Sequence, residues 1–191
     1  MEKKLYQKKY SHTTEAKKNI KELIENLDDS DGVVRERARR NLVRIGPAAI
    51  DYLAELVYIK NERLRWEAVK TLSEIVNPAA IPLLIDALED DKSSIRWLGA
   101  EGLIMLGRES VKPLLEALIN RPDSVFIREG AHHFFHDLRS FLPELELGEL
   151  LDILKSSTAQ NKLQMAAGDL LNGLKTINNC NESIISEHVW K

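Results

Sequence analysis

The sequence predicts an all-α solenoid of about five helical hairpins, and three observations carry that reading. The first is a recurring template of an apolar residue, an arginine, six residues and another apolar residue. It reads Val34-Arg35 to Leu42, Leu64-Arg65 to Leu72, Ile95-Arg96 to Leu103 and Ile127-Arg128 to Phe135. The arginines are 30, 31 and 32 residues apart, and a weaker copy, Leu163-Gln164 to Leu171, follows 36 residues after Arg128. Recurrence at this length marks stacked units, each burying its apolar face on its neighbours. The second observation is helical spacing of apolar residues inside every copy. The third is a set of short polar connectors with Pro and Gly between the copies.

Taken in order, residues 1–19 are polar and basic, with Tyr6 and Tyr10 as the aromatic groups. They read as an arm or a capping helix. The solenoid spans residues 20–175, with units at about 20–46, 47–76, 78–107, 109–140 and 142–175. First helices are expected at Ile20–Leu27, Ala49–Tyr58, Ile81–Leu88, Val111–Ile119 and Leu147–Leu154. Pro82 and Pro113 fall near helix starts, where a missing amide hydrogen costs nothing. The loops inside the units are DDSDG, KNE, DDKSS and RPDS, and they place Asp31, Asn61, Ser93 and Ser124 to cap the second helices. Gly46 and Gly107 fit helix ends that need positive φ.

The second helices can be laid out at about 100° per residue. Counted from the arginine, positions −1, +3, +7 and +10 share one face. In the first four units those positions are all apolar or small, from Val34, Ala38, Leu42 and Ile45 to Ile127, Ala131, Phe135 and Leu138. This face is the expected core, and its small +3 residue lets the paired helix approach closely. The opposite face carries +1, +5 and +8. Residues 176–191 read as a C-terminal tail, with Trp190 either a plug for the open last unit or a linear docking residue, the plug being favoured because terminal units need covering.

The bulk composition sets outer bounds. Of the 191 residues, 43% are apolar and 30% charged, which suits a folded chain. No apolar run approaches a membrane span, and the lysine-rich N-terminus lacks the apolar core of a secretory signal. The single cysteine, Cys180, forbids an intrachain disulfide, and a cytoplasmic location is the expectation. Residues 1–70 hold 16 Lys/Arg against 12 Asp/Glu, while residues 71–191 hold 11 against 18. That polarity could steer a partner or a second copy. A nucleic-acid surface needs a basic stripe that persists, and here it is interrupted by acids and reversed at the far end. No Gly-rich phosphate loop or CxxC is present.

The segment IPLLIDALEDDKSSIRWLGAEGLIMLG at 81–107, with its cousins at 20–46, 50–76 and 111–138, resembles HEAT repeats of the short kind found in phycobilisome lyase-like proteins. The resemblance implies a HEAT-type right-handed superhelix whose second helices line the concave side. Such repeats also build deoxyhypusine hydroxylase, whose metal site is similar to this template with His-Glu at +1 and +2. Here those pairs are Glu36-Arg37, Trp66-Glu67, Trp97-Leu98, Glu129-Gly130 and Met165-Ala166. Only Glu67 matches, so the metal chemistry is not implied. The residues shared with bilin lyases are the structural ones, so no lyase activity is implied either.

The chemistry-bearing residues collect on the face opposite the core. Trp66 and Trp97 occupy +1 in consecutive units, so stacking should set them side by side, and large exposed aromatics anchor interfaces. Positions +5 and +8 add Arg40, Lys70, Glu101, His133 and His136. The expected working surface is therefore Trp66, Lys70, Trp97, Glu101, His133 and His136, binding another protein or peptide, with a small molecule in the same groove left open. In AHHFFHDL at 131–138, the pairs His132/His136 and His133/Asp137 have the spacing of metal ligands on a helix. No clear third ligand accompanies them, so no metal and no cofactor is assigned, and no catalytic residue. The rival readings are a lyase-like or metal-dependent protein using the same groove, and a nucleic-acid-binding solenoid.

Overall fold

The computed structural model describes residues 17–156 and 160–188, with side chains through residue 174. Tyr6, Tyr10 and Trp190 lie outside the described residues. Helix α1 covers 17–26, followed by α2 (Gly32–Ile45), α3 (Ile50–Ala54), α4 (Glu62–Ile75) and α5 (Ile81–Ala87). Then come α6 (Ser93–Leu106), α7 (Arg108–Asn120), α8 (Val125–Leu138), α9 (Gly148–Lys155) and α10 (Gln160–His188). Among the described residues there is no strand. Odd-numbered helices are the first members of each hairpin, and even-numbered helices the second. In the second layer α2 packs on α4, α4 on α6 and α6 on α8.

The core follows the register. Leu42, Leu72, Leu103 and Phe135, all at +7, are fully buried. The +3 residues Ala38, Ala68 and Ala131 are buried as well, and Gly99 is tighter still. A Cβ on Gly99 would lie 2.8 Å from the Leu84 carbonyl oxygen and 3.2 Å from the Ala87 Cβ. Helix α6 therefore rests on the backbone of α5.

Three of the expected caps form. Asp31 accepts from the Val33 amide at 2.8 Å, Asn61 from Leu64 at 3.3 Å and Ser124 from Ile127 at 3.0 Å. Ser93 does not cap: it is the first residue of α6, and Lys92 holds the cap position without a side-chain bond. The loop before it is organised by Asp90, which accepts from the Lys92 amide at 2.8 Å while its carboxylate is held by Arg65. Helix α7 also starts earlier than expected, directly after Gly107, so Pro113 sits inside it. The carbonyl left without a donor belongs to Glu109, on an exposed turn. The first-helix layer is irregular around α3, which is short and flanked by 3-10 turns at Gly46–Ala49 and Glu55–Tyr58.

Second helices α2 and α6 end in Gly46 and Gly107, with φ of 73° and 59°. The second unit departs from this: α4 ends in Val76 at φ 48°, ψ 56°, the left-handed region that a β-branched residue rarely occupies. Val76 is 41% exposed, so little packing depends on it. Val76→Gly should therefore raise stability by about 1 kcal/mol, read as a higher urea midpoint with an unchanged slope.

The repeated arginine is a staple between loops. Arg35 donates to the carbonyls of Asp29 (2.8 Å) and Ser30 (3.0 Å) in its own unit, and to Glu67 of the next at 3.1 Å. Arg65 does the same with Ile59 (2.8 Å), Lys60 (3.1 Å) and the next unit's Asp90 (2.8 Å) and Asp91 (2.7 Å). Arg96 binds the carbonyls of Asp90 and Asp91, but then stacks over the Phe126 ring at 4.0 Å where Arg35 and Arg65 meet a carboxylate. Arg128 reaches forward to the carbonyls of Ile153 (3.0 Å) and Ser156. In the fifth copy Gln164 replaces the arginine and donates to the Ile119 carbonyl at the end of α7, 2.8 Å away. Accordingly α10 packs on α7 and α9, leaving the row of second helices to end at α8. Its backbone stays helical through residues 176–188, within the expected C-terminal tail.

Candidate functional site

Helices α4, α6 and α8 carry the candidate residues. At +1 of α6, Trp97 is 56% exposed, and its ring stacks on His133 of α8 with centroids 4.6 Å apart. The His133 Nε2 lies 3.1 Å from Glu101 and its Nδ1 3.8 Å from Asp137. Trp97, Glu101 and His133 thus form one contact cluster across two units. Trp66, at the same register on α4, is half-buried against the core with the Arg39 guanidinium 5.9 Å from its ring centre. Lys70 is turned to Glu74 at 3.1 Å, on its own helix. His136 stacks on His132 with centroids 5.9 Å apart and lies 3.3 Å from Asp137.

Beside the exposed indole is a recess of about 300 Å³ floored by Leu88, Ala100 and Gly130, with Phe126 and Arg96 on its far side. A Cβ on Gly130 would lie 2.6 Å from the Leu88 side chain, which would then have to shift. Glu129 stands at the mouth, at the +1 position of α8. Phe126 and Arg96 are the members that sequence reasoning missed. Phe126 lies at −2, off the core stripe, and its role depends on an arginine from the preceding unit.

His132 has a ring nitrogen buried without a partner. Burial first, then the charges of Lys155 and the neighbouring histidines, pushes its pKa below the ordinary histidine value. Among the described residues no group of three His, Cys, Asp or Glu side chains is placed to hold a metal ion. On the loop edge, the Tyr58 hydroxyl donates to Asp86 at 2.7 Å. That bond, with burial, pushes the tyrosine up to about 12. Its role is to tie the second unit to the third, and Arg121 then ties Asp86 to the fourth at 3.2 Å.

The match to known families agrees with this architecture. The model for HEAT repeats matches residues 20–104 and again 60–134. The chain belongs to the HEAT-repeat family. Both matches fall on the part of the chain where arginine staples join consecutive units. No curated protein matches this HEAT-repeat sequence. A crystal structure described as that of an engineered protein is similar at 17% identity, with a TM-score of 0.39, over 82% of this chain and 79% of that one. No described helix is long and apolar enough to cross a membrane.

Proposed function

We propose that this HEAT-repeat protein is a non-enzymatic interaction module, an adaptor or chaperone-like scaffold, that binds another protein or peptide on the concave side lined by α4, α6 and α8. The observation that carries the proposal is Trp97, a large ring held more than half exposed at the mouth of an apolar recess. An indole fixed by its stack on His133 loses little entropy on binding and offers much contact area. Glu101 and His133 border it and orient the partner, and His136 continues the surface along α8. Trp66 and Lys70 extend the surface toward the basic first units, with Trp66 giving less because the core and Arg39 already cover part of it.

The test is affinity capture from the native host. Trp66→Ala/Trp97→Ala should keep the helical circular-dichroism signal and lose the captured partner. Trp97→Ala alone should weaken binding about tenfold or more, and Trp66→Ala by less. Capture by the double variant at wild-type strength would sink the proposal. A visible absorbance band, or iron or zinc retained by the natively purified protein, would favour the lyase-like or metal-dependent rival.

A further inference from the structure

The far end of the stack carries a second surface, independent of the one above. Helices α9 and α10 leave a cleft of about 310 Å³ with an apolar floor of Leu145, Leu150 and Leu170. Glu146, Glu149 and Asp169 line its rim, and no basic side chain does among the described residues. Glu144, at one edge, is paired with Arg108, but the three rim carboxylates are exposed and have no partner among the described residues. An apolar cleft ringed by uncompensated carboxylates fits a segment that alternates aromatic and cationic side chains.

The chain contains such a segment at its other end. Residues 1–16 carry Lys3, Lys4, Lys8 and Lys9 around Tyr6 and Tyr10. Lys17, Lys18 and Lys21 continue the charge along the exposed side of α1. We propose that the α9–α10 cleft takes residues 1–16 of a second copy of this chain, the tyrosines on the apolar floor and the lysines on Glu146, Glu149 and Asp169.

Reach decides between a copy's own segment and its neighbour's. Helices pack about 10 Å apart, so four steps from the first unit to the fifth cover about 40 Å. Sixteen residues span at most about 55 Å when fully extended. A copy's own segment would arrive with few residues left to lie in the cleft, whereas a neighbour's docks whole. The contact joins unlike ends, so it is heterologous and propagates into chains of copies. The charge polarity of the sequence, basic in residues 1–70 and acidic beyond, has the sign such an arrangement needs.

The experiment is sedimentation velocity on the full chain over a range of concentrations at low and high salt. Association that grows with concentration and is reversed by salt is the expected result. Glu149→Gln/Asp169→Asn should weaken it about tenfold with the helical signal intact, and a synthetic peptide of residues 1–16 should bind the protein and break the assemblies. The same peptide with Tyr6→Ala and Tyr10→Ala should bind less well. A monomer at every concentration, association unchanged in the Glu149/Asp169 variant, or equal binding of the peptide and plain oligolysine would each overturn self-docking.

Discussion

Replacing Arg65 by alanine should cost the fold about 3–5 kcal/mol. The side chain is buried, and it donates to two loop carbonyls of its own unit and two carboxylates of the next. Removing it leaves the Asp90 carboxylate, whose side chain is 7% exposed, without its counter-ion, and that orphaned charge is the larger part of the loss. Arg65→Lys keeps the charge but not the planar fork, so it should cost less than alanine and still be measurable. Urea unfolding of the two variants reads the effect directly, and a loss below about 1 kcal/mol for alanine would contradict the staple.

The same pair sets an acid limb. Burial pushes the Asp90 carboxyl up, but the Arg65 guanidinium, the Lys92 amide and Asp91 together hold it below its ordinary value. Its contribution is therefore fully present above the unfolded carboxylate value of about 4 and is lost as pH falls through the folded value. In Arg65→Ala the Lys92 amide and Asp91 remain but the guanidinium is gone, so the carboxyl is held down less and protonation costs the variant less. The stability gap between wild type and variant should be constant near neutral pH and shrink below about pH 4.

Gly99→Val should cost about 3 kcal/mol. The first added atom meets the Leu84 carbonyl oxygen at 2.8 Å, and backbone cannot move aside as a flexible side chain can. The two methyl groups then press on Ala87, and α6 must lift from α5. Gly148→Ala is the matched control, since a Cβ there has nothing within 4 Å. It should be neutral or stabilising by up to about 1 kcal/mol, because alanine is the better helix former. A gain at both positions would show that helix propensity, not the α5–α6 approach, governs the sequence at residue 99.

The parts of this structure that repeat were legible in the sequence, because each repeat tests the others. The +7 row and the small +3 residue follow from register alone. What register cannot show is which neighbour covers a side chain. Trp66 and Trp97 share one register position, yet Arg39 lies near the first ring while the second stands open, with only His133 against one face. Ser93 looked like a cap until Asp90 was committed to Arg65 from another unit. The turn of α10 onto α7 rests on Gln164 finding the Ile119 carbonyl, a contact 45 residues away in sequence that no local pattern announces. Of the candidate surface, Trp97, Glu101 and His133 come together, while Lys70 and His136 contact neighbours on their own helices. Phe126 joined the site only once the helices were packed.

The most direct measurement follows the indole N–H signals of Trp66 and Trp97 by NMR while a captured partner is titrated into the protein, each signal assigned by Trp→Phe replacement. Docking on the second-helix face predicts that the Trp97 signal shifts or broadens most and that Trp66 follows with a smaller change. A partner that binds and leaves both signals where they were would contradict it.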